Sequence, residues 1–283
     1  MPAEVVPFAV AADGGPTVRG EQAGEGPPVV LCHGITATRV SVIHGSRALE
    51  RAGHTVVTYD ARGHGESDPA PPGEGYVYPG LVADLEAVVA DRVGEGEFAL
   101  GGHSMGAHTA VAYALAHPER VAVLVAIGPV YDGTISAESL EYWDGLAAAL
   151  EDGGVDGFVD HIDRVQGIDP AWRDSVMRFT RERMLRHRHL DAVAEALRQV
   201  PRSRPFDSLA DLERLEVPTL VVASGDVADP GHPHATAAEY ARRLPRAELV
   251  SEAEGSSPLA WQGGRLSREI ARFSAANWPK AQE

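Results

Sequence analysis

LGGHSMGAHTA, from Leu100 to Ala110, decides how the chain is read. An apolar run, EFA, leads into it and an alanine-rich run leads out, so the segment reads as strand, sharp turn, helix. Gly102 and Gly106 bracket Ser104, and glycine at both places lets the backbone turn tightly enough to hold the serine hydroxyl outward. A helix beginning at Met105 aims unpaired N–H groups and its positive dipole end at that oxygen. The Gly-x-Ser-x-Gly spacing alone arises often by chance. The strand before it and the helix after it are what give it meaning.

Similar apolar runs recur on both sides: PPVVLCHG, HTVVTYDARGHG, RVAVLVAIGP, PTLVVASGD and AELVSE. They lack polar alternation, which suits strands covered on both faces of a parallel sheet. Val5 to Val10 and Thr17 to Gln22, with ADGGP between them, predict an opening hairpin. Helical patterns fall over Val42–Arg51, Pro79–Arg92, Met105–His117, Pro233–Leu244 and Gly264–Asn277, so strand and helix alternate. The fold class is α/β, a mostly parallel sheet flanked by helices. From about Tyr131 to Pro205 the rhythm stops, and only helical patterns occur over a span too long for a loop. This predicts a core of residues 1–130 and 206–283, carrying a helical cap at 131–205.

Composition excludes several functions. The chain has 283 residues and a formal net charge of −16, which disfavours nucleic acid and anionic membranes as partners. Lys280 is the only lysine, against Schiff-base chemistry and against a phosphate loop of the GxxxxGKS type. Cys32 is the only cysteine, so no intrachain disulfide forms, and it reads as a small buried side chain. MPAEVVPFAVAADGG has no basic start and no long apolar centre; with the single cysteine, this gives a cytoplasmic expectation. The most apolar run, Val121 to Val130, is about half a membrane span and ends in Gly128-Pro129.

Two further segments carry chemistry. In CHGIT the His33-Gly34 turn can face the N–H of Ile35 toward a substrate on Ser104; paired with the N–H of Met105 it makes a two-donor oxyanion hole, worth roughly 3–4 kcal/mol per donor in a transition state. YDARGHGES, Tyr59 to Ser67, follows. His-Gly, then D-x-R-G-H-G-x-S, then G-H-S-M-G in this order resemble the α/β-hydrolase superfamily, in its small serine esterase, haloperoxidase and C–C hydrolase-like branch. The resemblance implies that Ser104 is the nucleophile and that Asp60 and Arg62 shape the loop beside the site. It also sets the chain apart from relatives with an aspartate nucleophile at that position.

The resemblance places the acid after PTLVVASGD. Asp229, followed by Pro230, is the candidate, with Asp226 the alternative, and either can instead cap the next helix. It places a Gly-His after AELVSEAEG, but here the residues are Gly255-Ser256, and no histidine follows His234. A serine hydroxyl is no base near neutral pH, so Ser256 stands in the family position without its chemistry. Three readings remain open: a relocated base among His232, His234 and His103; an elbow and oxyanion hole used without a full triad, as in a lyase, cyclase or slow hydrolase; or a catalytically silent ligand-binding or regulatory protein. In the first, the family sets His103 pointing away from the elbow, and His-Pro is also an ordinary helix start.

The leading expectation is a serine hydrolase-like enzyme for a small apolar ester, lactone or related carbonyl compound, with no metal and no organic cofactor. Ala171–Arg204 holds nine arginines against four acidic residues, which would draw in an anionic substrate if some face the pocket and otherwise form solvated helix faces. Trp143, Phe158, Trp172, Met177, Phe179 and Met184 are expected mainly to pack the cap onto the core, with a few lining an apolar cavity. Ser256→His is expected to raise esterase turnover if the acid and elbow are otherwise intact.

Overall fold

The computed structural model describes residues 4–71, 75–225 and 228–279. The alternative acid Asp226 and the lone lysine Lys280 lie outside the described residues. Strands β1 (Val5–Ala11), β2 (Thr17–Ala23), β3 (Pro28–Cys32), β4 (Thr55–Tyr59), β5 (Phe98–His103), β6 (Val121–Ile127), β7 (Thr219–Val222) and β8 (Ala247–Val250) form one sheet in the order β1-β2-β4-β3-β5-β6-β7-β8. The hairpin β1–β2 is antiparallel, as is β2 against β4, and every pairing from β4 to β8 is parallel. Burial follows the apolar runs: β6 and β7 are buried at every residue, whereas β8, at the edge, is only partly covered.

Helices α2 (Tyr78–Arg92), α3 (Met105–Ala116) and α7 (His234–Arg243) cover one face, and α1 (Ala48–Arg51) and α8 (Gly263–Asn277) the other. The helix expected over Val42–Arg51 is only the four residues of α1, preceded by a 3₁₀ turn at Arg39–Ser41. Between them His44 takes a left-handed φ of 48° and Gly45 one of 69°, which no continuous helix accommodates.

Between β6 and β7 lie α4 (Ala137–Val165), α5 (Pro170–Met184) and α6 (Leu190–Gln199), with no strand among the described residues. Asp169 caps α5, and Gly154 (φ 59°) kinks α4. Leu146, Leu150 and Phe158 of α4 pack on Val193, Ala194 and Leu197 of α6, in a cluster that also takes in Ile35 and Met105 beside Ser104. The inserted helices therefore share a core with the Ser104 turn. Among the described residues no helix is long and apolar enough to cross a membrane.

Candidate active site

Ser104 is one of two non-glycine residues described with positive φ, at φ 55° and ψ −115°. That conformation costs about 1–3 kcal/mol and persists because the surroundings enforce it. Ser104 N–H donates to Ile127 O on β6 (2.9 Å), and its carbonyl accepts from His108 N–H. The flanking glycines are steric requirements. A Cβ on Gly102 would lie 2.1 Å from the Gly106 carbonyl oxygen, and one on Gly106 would lie 2.2 Å from that of Cys32. Helix α3 is thus pressed against β3, bringing the Ser104 turn beside the His33-Gly34 turn.

The two candidate oxyanion donors, the N–H groups of Ile35 and Met105, follow from one peptide plane and one helix end. His33 Nε2 accepts from Ala61 N–H (2.8 Å), so its proton is on Nδ1, which donates to Gly34 O (2.8 Å). Ala37 N–H also donates to that oxygen (2.9 Å). A trans peptide directs its N–H opposite its carbonyl, so fixing Gly34 C=O aims the Ile35 N–H the other way, and among the described residues that N–H has no acceptor. Met105 N–H, at the first helical position, has no intrahelical acceptor either. Burial holds His33 at about pKa 3, neutral and structural, as expected. Burial likewise lifts the Cys32 thiol to about 12, leaving it inert.

Asp60 and Arg62 are structural. Asp60, 0% exposed, accepts from the backbone and side chain of Arg39 and from Glu66 N–H. Arg62 makes a two-pronged pair with buried Asp84 at 2.7 and 2.9 Å. Together they hold the loop Asp60–Asp68 under the inserted helices.

A cavity of about 480 Å³ opens over Ser104, lined among others by Ile35, His103, Arg183, Asp229, His232 and Trp261. A smaller one, about 100 Å³, adjoins Ser104 on the side of Tyr78, Ser139 and Ser203. His232 Nδ1 lies 2.8 Å from each oxygen of Asp229. A carboxylate only accepts, so Nδ1 carries the proton and Nε2 keeps its lone pair. Burial pushes the Asp229 carboxyl up, but His232, His103 and Arg183 outweigh it and hold it below the usual range. The His103 ring stands 4.6 Å from that of His232, and burial keeps it neutral, reinforced by His232. Ser104 Oγ makes no hydrogen bond among the described residues, an arrangement common before substrate tightens a site.

The structure thus brings Ser104, Ile35, Asp229, His232 and His103 to one cavity, with Met105 beside the smaller one. It leaves two candidates aside. His234 starts α7 and does not line the cavity; Ser256 is exposed on its turn, with its N–H donating to Ala253 O.

Most arginines of the inserted segment form surface pairs: Arg173 with Asp163, Arg181 with Asp156, Arg188 with Glu66, Arg198 with Glu151 and Arg202 with Asp144. Arg183 differs: it lines the cavity, and its Nε is buried without a partner. Burial lowers its pKa while Asp229 and Tyr142 act against that. Of the aromatic and methionine residues, Phe158 and Met184 are fully buried, Phe179 is 49% exposed, and Trp143, Phe158 and Phe179 line the cavity. His44, which the sequence reading does not single out, also lines it, its Nε2–H donating to Ala260 O (3.2 Å). Its left-handed backbone had no glycine or asparagine to announce it.

Comparison with known proteins gives the family and the fold. Residues 27–259 match the family model described as alpha/beta hydrolase fold. The chain is 32% identical over 217 residues to 2-hydroxy-6-oxononadienedioate/2-hydroxy-6-oxononatrienedioate hydrolase 2 of Pseudomonas putida, covering 70% of this chain and 71% of that one. Among solved structures, a thermophilic esterase from Thermogutta terrifontis superposes with a TM-score of 0.80 at 22% identity, over 98% of this chain and 100% of that one. The enol-lactonase from Burkholderia xenovorans LB400 does so at 0.75 and 20%, over 95% and 100%. The chain belongs to the alpha/beta hydrolase fold family, as a hydrolytic enzyme.

Proposed function

We propose that the chain is a serine hydrolase for a small, largely apolar ester, lactone or related carbonyl compound bearing an anionic group, and that His232 replaces the missing C-terminal histidine as its base. One observation carries this reading: the proton on His232 Nδ1 is held by both oxygens of Asp229, in the cavity that Ser104 lines. An orienting carboxylate and a free Nε2 are what a base for a serine hydroxyl needs. Ser104 Oγ attacks the carbonyl carbon while its proton passes to His232 Nε2, and Asp229 stabilises the imidazolium. The oxyanion is received by Ile35 and Met105 N–H. The imidazolium then protonates the leaving group, and water releases the acyl group from Ser104 by the same steps.

The two cavities meet at Ser104, so each takes one side of the scissile bond. Inserted helices α4 and α5 roof the larger cavity as a cap through Tyr142, Trp143 and Phe158, and supply Arg183 as the counter-charge for a carboxylate. The relatives named for a dioate and for an enol-lactone support this substrate class. The test is hydrolysis of p-nitrophenyl esters with and without a terminal carboxylate, alongside fluorophosphonate labelling. Labelling of Ser104, with a preference for the carboxylate-bearing esters, is the expected result. A Ser104 that resists the probe, with no turnover of either series, sinks the reading in favour of a silent binding protein.

A further inference from the structure

His103, Asp229 and His232 do more than surround Ser104. One ligand atom from each lies within 4.8 Å of the other two, and two imidazoles with one carboxylate are the donor set for a divalent transition metal. A second observation points the same way. His103 Nε2 is buried and has no hydrogen-bond partner among the described residues, although an unpaired polar atom in such a place costs about 1–3 kcal/mol. Gly128 leaves the space between the rings open. A Cβ there would lie 3.1 Å from His232 Cδ2 and 3.4 Å from His103 Nε2.

We propose that His103 Nε2, His232 Nδ1 and an oxygen of Asp229 bind a zinc-like divalent ion, and that its binding switches hydrolysis off. The inference rests on His232 being the base. The His232 Nδ1 and Asp229 oxygens are already 2.8 Å apart, and a modest closure of His103 completes three ligands, leaving further positions open toward the cavity. To ligate through Nδ1, His232 shifts its proton to Nε2. No proton is gained or lost, yet Nε2 can no longer accept one from Ser104. Arg183 opposes a bare dication here and favours an anion, such as chloride or a substrate carboxylate, on an open position.

The experiment is zinc titration of untagged protein by calorimetry, with Co²⁺ absorption spectra and esterase assays in parallel. One ion per chain is expected in the wild type and in Ser104→Ala, and loss of that ion in His103→Phe. Phenylalanine keeps the ring, and the His103 ring makes no hydrogen bond among the described residues, so thermal unfolding should confirm that this variant folds. At zinc about 100-fold above its dissociation constant, wild-type turnover should fall about 100-fold. Equal zinc binding by wild type and His103→Phe overturns the site, and an ion that leaves turnover unchanged or raises it overturns the switch. Ser104→Ala separates the two ideas: it abolishes hydrolysis while the ion remains, and if the wild type proves not to hydrolyse esters, its zinc binding still decides the site.

Discussion

Two loops follow the neighbouring parallel strands β7 and β8 and differ in where their side chains arrive. The loop after β8, with Gly255 in left-handed φ (76°) and Ser256 exposed, is a solvent-facing turn on an edge strand. The loop after β7, a fully buried strand, runs inward, so that Asp229 is buried and His232 half-buried against it. In this family's usual arrangement the two loops share the chemistry, one giving acid and the other base. Here Asp-Pro-Gly-His places a carboxylate and an imidazole, the acid and base of the proposed mechanism, in one tight turn, closed by His232 N–H donating to Asp229 O (3.1 Å). The lesson is that a catalytic group is specified by where its atoms arrive, and adjacent loops reach the same cavity.

The sharpest test of this comparison is His232→Ala, expected to lower kcat for p-nitrophenyl esters by about 10⁶, as removal of a triad base does. Survival of wild-type turnover would return the base to another group. Asp229→Asn should cost less, about 10⁴, since an amide can present its NH₂ to Nδ1 and turn the wrong nitrogen toward Ser104; steady-state kinetics at constant pH measures it. Arg183→Met should raise KM for carboxylate-bearing esters about 10-fold to 100-fold while leaving neutral esters within about twofold, the signature of one lost charged hydrogen bond. The smallest effect is expected for Ser256→His. Asp229 is already occupied by His232 and Ser256 faces solvent, so kcat/KM should stay within about twofold, in contrast to the increase the family pattern alone predicts. If instead Ser256→His restored activity to His232→Ala, the two loops would be interchangeable and the contrast between them would fail.

Much of the site was legible because its determinants are local. At the Ser104 turn Gly102 is required by a contact within about one turn of chain, although Gly106 is required by the Cys32 carbonyl of β3, and the Ile35 N–H is aimed by the peptide after His33-Gly34. The four-residue Asp229–His232 spacing was also readable, and its signal was the i,i+3 carboxylate and imidazole in a Pro-Gly turn. What hid it was the competing reading of His232-Pro233 as a helix start, and α7 does begin at His234, immediately after. Arg183 could not be told from eight other arginines, because which helix face meets the cavity depends on how α5 is seated. His44 gave no signal at all, since its strain comes from the close approach of α8, where a Cβ on Gly263 would lie 2.1 Å from the Ile43 carbonyl oxygen.

By itself the sequence determined the α/β alternation, the strained serine turn and the absence of imidazole after His234, all properties of short segments and fixed composition. Only the tertiary structure decided that Asp229 and His232 face Ser104's cavity while Ser256 does not. Parallel strands bring loops distant in sequence to one sheet edge, and the choice among them is made by packing, which no local pattern records.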